Sequence, residues 1–203
     1  AKDIDQSIKL GDVKAVKVFL DDGNAINKLY GKGQTLLFDA IKGDRSNKVA
    51  QYLLERGADV NLVTDGITPL MYAIAYQNLS IAKALINHKA DINYVSKEKQ
   101  SAVFFAIKGR NPDALQLLID NGADPSIKLH GDYSAFDLAK EENIREILEV
   151  LNIPYEGISD GPYVFKTKDG YSIQRIIKGE SYVKNISTKD SQTIDYNGGK
   201  ATL

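Results

Sequence analysis

The side chains that most often carry catalysis or hold metals are scarce and scattered in these 203 residues. There are two histidines, His88 and His130, and no cysteine, so disulfides and thiolate metal sites are excluded. Neither histidine has a carboxylate cluster at ligand spacing, and both read as surface residues rather than metal ligands. Gly31-Lys32-Gly33-Gln34-Thr35 superficially matches the end of a phosphate-cradling loop. It lacks the preceding glycine at the required spacing and has no buried strand ahead of it. It reads instead as a hairpin turn leading into a helix-capping threonine. No histidine-activated serine and no nucleophile elbow can be assembled. These patterns predict a non-enzymatic chain with no catalytic residue, no metal and no cofactor.

Composition narrows the rest. A formal net charge of −1 gives no general attraction to nucleic acid or anionic membrane. With 43% hydrophobic and 26% charged residues the chain belongs with globular rather than disordered sequences. No run approaches the roughly eighteen apolar residues that a membrane-spanning helix needs. No signal peptide is visible. The chain opens on Ala1-Lys2-Asp3, already inside a repeat, which fits removal of a leader by processing or cloning. A soluble protein is expected, with the bacterial periplasm favoured over the cytoplasm.

The elements that position these residues return every 33 residues, at Thr35, Thr68, Ser101 and Ser134. The segments beginning there are TLLFDAI, TPLMYAI, SAVFFAI and SAFDLAK. About twenty residues on come LLERGADVN, LINHKADIN and LLIDNGADPS. A hydroxyl at each start suits an N-cap, and Pro69 suits the first helical position because it has no amide to leave unpaired. Ala40, Ala73, Ala106 and Ala139, five past the cap, let helices approach closely. A second helix follows with Val49, Leu53 and Leu54, or Ile81, Leu85 and Ile86, at helical spacing. Gly23, Gly57 and Gly122 then suit a left-handed C-terminal position. Lys89 stands there in one unit, at a cost of about 1 kcal/mol. DIDQSIKLGDVKAVKVFLDDGNAIN supplies an earlier unit, and one extra residue near Asp44-Arg45-Ser46-Asn47 predicts a longer inter-helix turn. EENIREILEVL, charged on one face, reads as a terminal capping helix.

This double signature resembles the ankyrin repeat, whose period is 33 and whose first helix opens on Thr-Pro-Leu-His. The resemblance covers residues 1–151. It implies a mainly α solenoid of about five helix-turn-helix units, near 1–29, 30–62, 63–95, 96–128 and 129–151. The histidine of the motif is Phe38, Met71, Phe104 and Asp137 here, so its hydrogen bond is expected to be missing and apolar packing to matter more. The resemblance also implies a binding module that takes another protein on a concave face made of hairpin tips and first helices. Carried over, the partner-binding positions are Lys32, Gln34, Asp65, Ile67, Tyr76, Lys97, Gln100, Lys108, His130 and Tyr133. Tyr76 and Tyr133 are the aromatic anchors among them, because tyrosine offers large area with little rotamer entropy to lose. Tyr72 and Phe105 belong at the base of the same face, with core packing favoured.

After Leu151 the pattern changes. Tyr155, Tyr163, Tyr171, Tyr182 and Tyr196 crowd a segment of short alternating runs and glycine turns. YVFK, YSIQRII and SYVKNIS, separated by turns at Lys168-Asp169-Gly170 and Lys178-Gly179, predict a small antiparallel meander over 152–203, with QTIDY as a fourth strand. Such a sheet must lean on the last repeat, a downstream domain or a second copy in a homodimer. SDGPYVFKTKDG with the strand pair after it is similar to the segment preceding bacterial calcineurin-like metallophosphoesterase domains. The Asp-x-His and Gly-Asn-His-Asp/Glu ligand motifs of those enzymes are absent. That resemblance implies the alternative function, the recognition or regulatory region of a larger bacterial enzyme.

Overall fold

The computed structural model describes residues 3–31, 33–44, 46–131 and 133–153, together with the backbone of five strands between 163 and 202. The chain divides into two compact units, Ala1–Leu138 and Ala139–Leu203.

The first unit is built from helix pairs. They are α1 (Ile4–Lys9) with α2 (Val13–Asp21), α3 (Leu36–Gly43) with α4 (Lys48–Glu55), α5 (Pro69–Ala75) with α6 (Leu79–Asn87), and α7 (Ala102–Lys108) with α8 (Pro112–Asp120). Within pairs the helices touch. Between pairs α1, α3, α5 and α7 pack in one row, and α2, α4 and α6 in another. Leu36, Leu53, Leu70, Leu85 and Leu115 are completely buried between the rows. Ala40, Ala73 and Ala106 are equally inaccessible, as their role at close helix crossings requires. Deleting one of the leucines to alanine costs on the order of 2–5 kcal/mol, depending on how far its surroundings collapse.

The caps follow the hydroxyl pattern. Thr35, Thr68 and Ser101 accept bonds from the amides of Phe38, Met71 and Phe104 at 3.4, 3.2 and 3.1 Å. The fourth cap is reversed: both the amide and the hydroxyl of Ser134 donate to the Asp137 carboxylate, at 2.8 and 2.7 Å. The Thr68 amide likewise donates to the Met71 sulfur at 3.4 Å. The bond expected to vanish with the motif's histidine is thus kept in two units, by a thioether and a carboxylate in its place.

The longer turn at 44–47 has its own solution. Asn47 adopts φ +60° and makes no side-chain cap on α4. Asp44, only 2% exposed, caps from further back: one carboxylate oxygen accepts the Val49 amide at 2.6 Å, the other the Ser46 amide at 2.9 Å and its hydroxyl.

Helix ends repeat one backbone form. Gly23, Gly57, Lys89 and Gly122 have φ between +69° and +92°. Just after each phrase an asparagine side chain reaches the next pair. Asn27 accepts the Asp59 amide at 2.8 Å, Asn61 the Asp91 amide at 2.7 Å, and Asn93 the Asp124 amide at 2.8 Å. Asn61 and Asn93 also donate to the carbonyls of Lys89 and Gly122. Ser126 stands where the next asparagine would be.

Helix α9 (Ala135–Glu142) spans the division between the two units. In the second unit α10 (Arg145–Val150) buries Ile147 and Leu148 and exposes Arg145, Glu146 and Glu149, the pattern of a terminal cap. Asn152, at φ +55°, repeats the left-handed helix end: its amide donates to Glu149 and that of Ile153 to Leu148. Strands β3 (Tyr163–Thr167), β4 (Gly170–Ile177) and β5 (Glu180–Ser187) form an antiparallel meander with Val164, Ile173 and Lys184 in register. β6 (Thr193–Tyr196) does not join it but pairs with β7 (Gly199–Thr202) as a separate hairpin. The lead-in to the meander, 154–162, lies outside the described residues.

Candidate partner-binding surface

Hairpin tips precede the first helices from α3 onward. Tyr30 and Gln34 bridge the first, with the Tyr30 amide donating to Gln34 at 2.8 Å. Thr64 and Ile67 close the second by two bonds of 3.0 Å around Asp65 and Gly66, whose φ values of +51° and +78° make the tight turn that suits an Asp-Gly pair. The Ser96 amide donates to Gln100 across the third. Strand pairing closes the fourth, where β1 (Lys128–His130) runs antiparallel to β2 (Tyr133–Ser134).

The predicted positions distribute along these tips as follows. Asp65 and Lys97 are exposed on theirs, Ile67 and Gln100 are half-buried, and Lys108 is exposed in the last turn of α7. His130 lies opposite Tyr133 in the strand register. Tyr133 is half-buried rather than free. Lys32 lies outside the described residues. Neighbouring tips touch: a Glu98 oxygen sits 2.6 Å from where a Cβ on Gly66 would be.

Tyr76 meets a residue assigned to the base. The Tyr72 ring packs 5.1 Å from Phe38 and 4.7 Å from Tyr76. Burial first, then the hydrogen bond and charge of Tyr76, pushes the Tyr72 phenol up to about 12. The Asp39 carboxylate adds to this and the Gln34 bond works against it. Tyr72 is half-buried, so it is a bridge between core and surface rather than pure core; Phe105, also half-buried, packs edge-on to Phe104 at 5.5 Å. Tyr76 stays 47% exposed. Such a cluster offers aromatic area held in place. Among the described residues no three His, Asp or Glu side chains are grouped to hold a metal, and no helix is long and apolar enough to cross a membrane.

Sequence reasoning missed Leu10, 68% exposed at the end of α1. Leu10, Gly43, Tyr76 and Gly109 stand one 33-residue period apart, so phase alone could have found it. Beside Gly43 lies a hollow of about 380 Å³ lined by Asp5, Ile8, Lys9, Gln34, Asp39 and Lys42.

Comparison with known proteins agrees with this architecture. A family model of three ankyrin repeats matches residues 61–129, and a single-repeat model matches 32–65. An alpha-latrotoxin from Latrodectus geometricus is 30% identical over 64% of the chain, which covers 10% of that toxin. A putative ankyrin repeat-containing protein of Treponema pallidum is 30% identical over 58% of the chain and 40% of its own length. A putative ankyrin repeat protein of Acanthamoeba polyphaga mimivirus is 29% identical over 54% of the chain and 72% of its own length. The chain therefore spans between a tenth and two fifths of the first two of these relatives. Period, caps, paired helix rows and family models converge: this is an ankyrin-repeat protein.

Proposed function

We propose that this ankyrin-repeat module binds another protein through the hairpin tips and the exposed side of its first helices. Ankyrin repeats are protein-interaction modules of a generally non-enzymatic family, so the open question is the face. The observation that carries the choice is Tyr76, a large aromatic left 47% exposed yet held by Tyr72. Holding an aromatic in place before contact lowers the ordering entropy that binding must overcome. Exposed Asp65, Lys97 and Lys108 on the tips and first helices add charged groups to the proposed face. The test is affinity capture from native lysate with wild type beside a Tyr76→Ala/Tyr133→Ala double variant. A prey protein lost only with the variant supports this face, with affinity lower by about 2–3 kcal/mol. Equal capture by both moves the site elsewhere.

A second reading is favoured by the greater length of the relatives: the chain serves as the recognition part of a longer protein, a bacterial metallophosphoesterase in the case implied by 152–203. Reading the gene beyond Leu203 tests it. Asp-x-His and Gly-Asn-His-Asp/Glu motifs in frame support it; a stop codon ends it.

A further inference from the structure

The hollow beside Gly43 adds a specific feature to the proposed binding surface, and the inference rests on that surface being the one used. Its walls are two adjacent helices with the same charge order. Asp5 lies in the first turn of α1 and Lys9 in the last; Asp39 lies in the first turn of α3 and Lys42 in the last. The two helices pack side by side. Both carboxylates therefore lie toward the hairpin-tip end and both ammonium groups toward the other end, with buried Ile8 as an apolar floor. Gly43 keeps the space open: a Cβ there would stand 3.2 Å from the Lys9 Cγ. Leu10 and Tyr76, one period to either side, stand up as exposed apolar posts where Gly43 is a dip.

We propose that this hollow seats a protein segment carrying one basic and one acidic side chain about 6–7 Å apart, the rise of four residues of a helix or of two residues of a strand. The basic group meets Asp5 and Asp39, the acidic group meets Lys9 and Lys42, and the backbone between them lies over Gly43. An extended segment meets this spacing with residues two apart and a helical one with residues four apart. A segment of one sign only is attracted at one end and repelled at the other. Individually exposed ion pairs contribute little, so fit into the hollow is what makes the charge order selective.

The probe is a phage-displayed library of random dodecapeptides selected on the wild-type chain at low salt. Enriched peptides are titrated against wild type, Lys9→Glu/Lys42→Glu, Gly43→Leu and Tyr76→Ala, each checked for helicity by circular dichroism. The expected peptides pair a basic with an acidic residue at one of those two spacings. Their affinity falls at least tenfold with Lys9→Glu/Lys42→Glu and with Gly43→Leu. Both lysines are exposed, so the double reversal stays informative if Gly43→Leu does not fold. Peptides without the charge pair, peptides indifferent to the lysine reversal, or no enrichment over an unrelated control protein overturn the proposal. Peptides weakened by Tyr76→Ala but not by the other variants overturn the hollow while leaving the broader binding surface standing.

Discussion

Asp44→Ala should cost more stability than any other single change at the inter-helix turns. The carboxylate is 2% exposed and accepts three bonds, from the Val49 amide and from the amide and hydroxyl of Ser46. Removing it leaves the buried Val49 amide without an acceptor, which costs about 1–3 kcal/mol. Loss of the Ser46 bonds, near the surface, adds about 1 kcal/mol. Removing a negative charge from the N-terminal end of α4 adds about 0.3–1 kcal/mol more. Relief of the buried charge's desolvation offsets part of the total, so about 3 kcal/mol is expected. Asp44→Asn keeps one acceptor oxygen for Val49 and should lose about 1 kcal/mol. Urea unfolding followed by far-UV circular dichroism measures both, with amide exchange at Val49 as the local readout. Units of a solenoid are coupled mainly to neighbours, so Asp44→Ala should also broaden the transition as the first pairs melt ahead of the rest. A loss under about 0.5 kcal/mol with unchanged Val49 exchange would refute the assignment of Asp44 as the cap.

Three other perturbations test separate features. Lys89→Gly relieves a left-handed side chain at φ +69° and should stabilise the chain by up to about 1 kcal/mol, read as a rise of about 2–4 °C in Tm. Asn93→Ala removes the bonds to Asp124 and Gly122; both are exposed, and a loss of about 1–2 kcal/mol is expected by urea titration. Tyr72 should ionise late in a 295 nm titration, near 12, and Tyr72→Phe should remove that step. Because its folded value lies above the ordinary 10, its contribution to stability is complete below pH 10 and is lost as pH rises toward about 12.

Most of the helical scaffold was legible because it is written in local chemistry. Thr35, Thr68 and Ser101 satisfy amides three residues ahead, and Gly57 or Gly122 ends a helix through its own backbone freedom. The period then places each unit on the next. What was not legible depends on groups distant in sequence. Asparagine recurs at 27, 61 and 93, but only the stacked helices show that its side chain holds an amide about thirty residues on. Asp44 looked like part of a lengthened loop, since a cap acting from five residues back leaves no familiar spacing. Met71 and Asp137 break the motif in letters and keep its bond in space. Within the proposed binding surface, Tyr76 was named as an anchor, and Tyr72, whose ring packs against it, was assigned to the base. The strands of the meander follow from glycine turns and alternation, whereas the parting of β6 into a second hairpin had no sequence signal.

The asparagine bonds have a consequence for how such a chain can change length over generations. Each one joins a side chain of one pair to a main-chain amide of the next, and every residue except proline has that amide. A recombination that removed residues 62–93 would join Asn61 directly to Tyr94, the residue that now follows Asn93. Asn61 would then stand before the Asp124 amide as it now stands before that of Asp91, and the seam would close without a compensating substitution. Whole units of 32 to 34 residues, the spacings between Asn27, Asn61, Asn93 and Ser126, can be gained or lost this way, while cuts that end elsewhere leave an asparagine facing the wrong partner. The repeat is therefore also the unit in which a gene of this kind can be edited and still encode a folded chain.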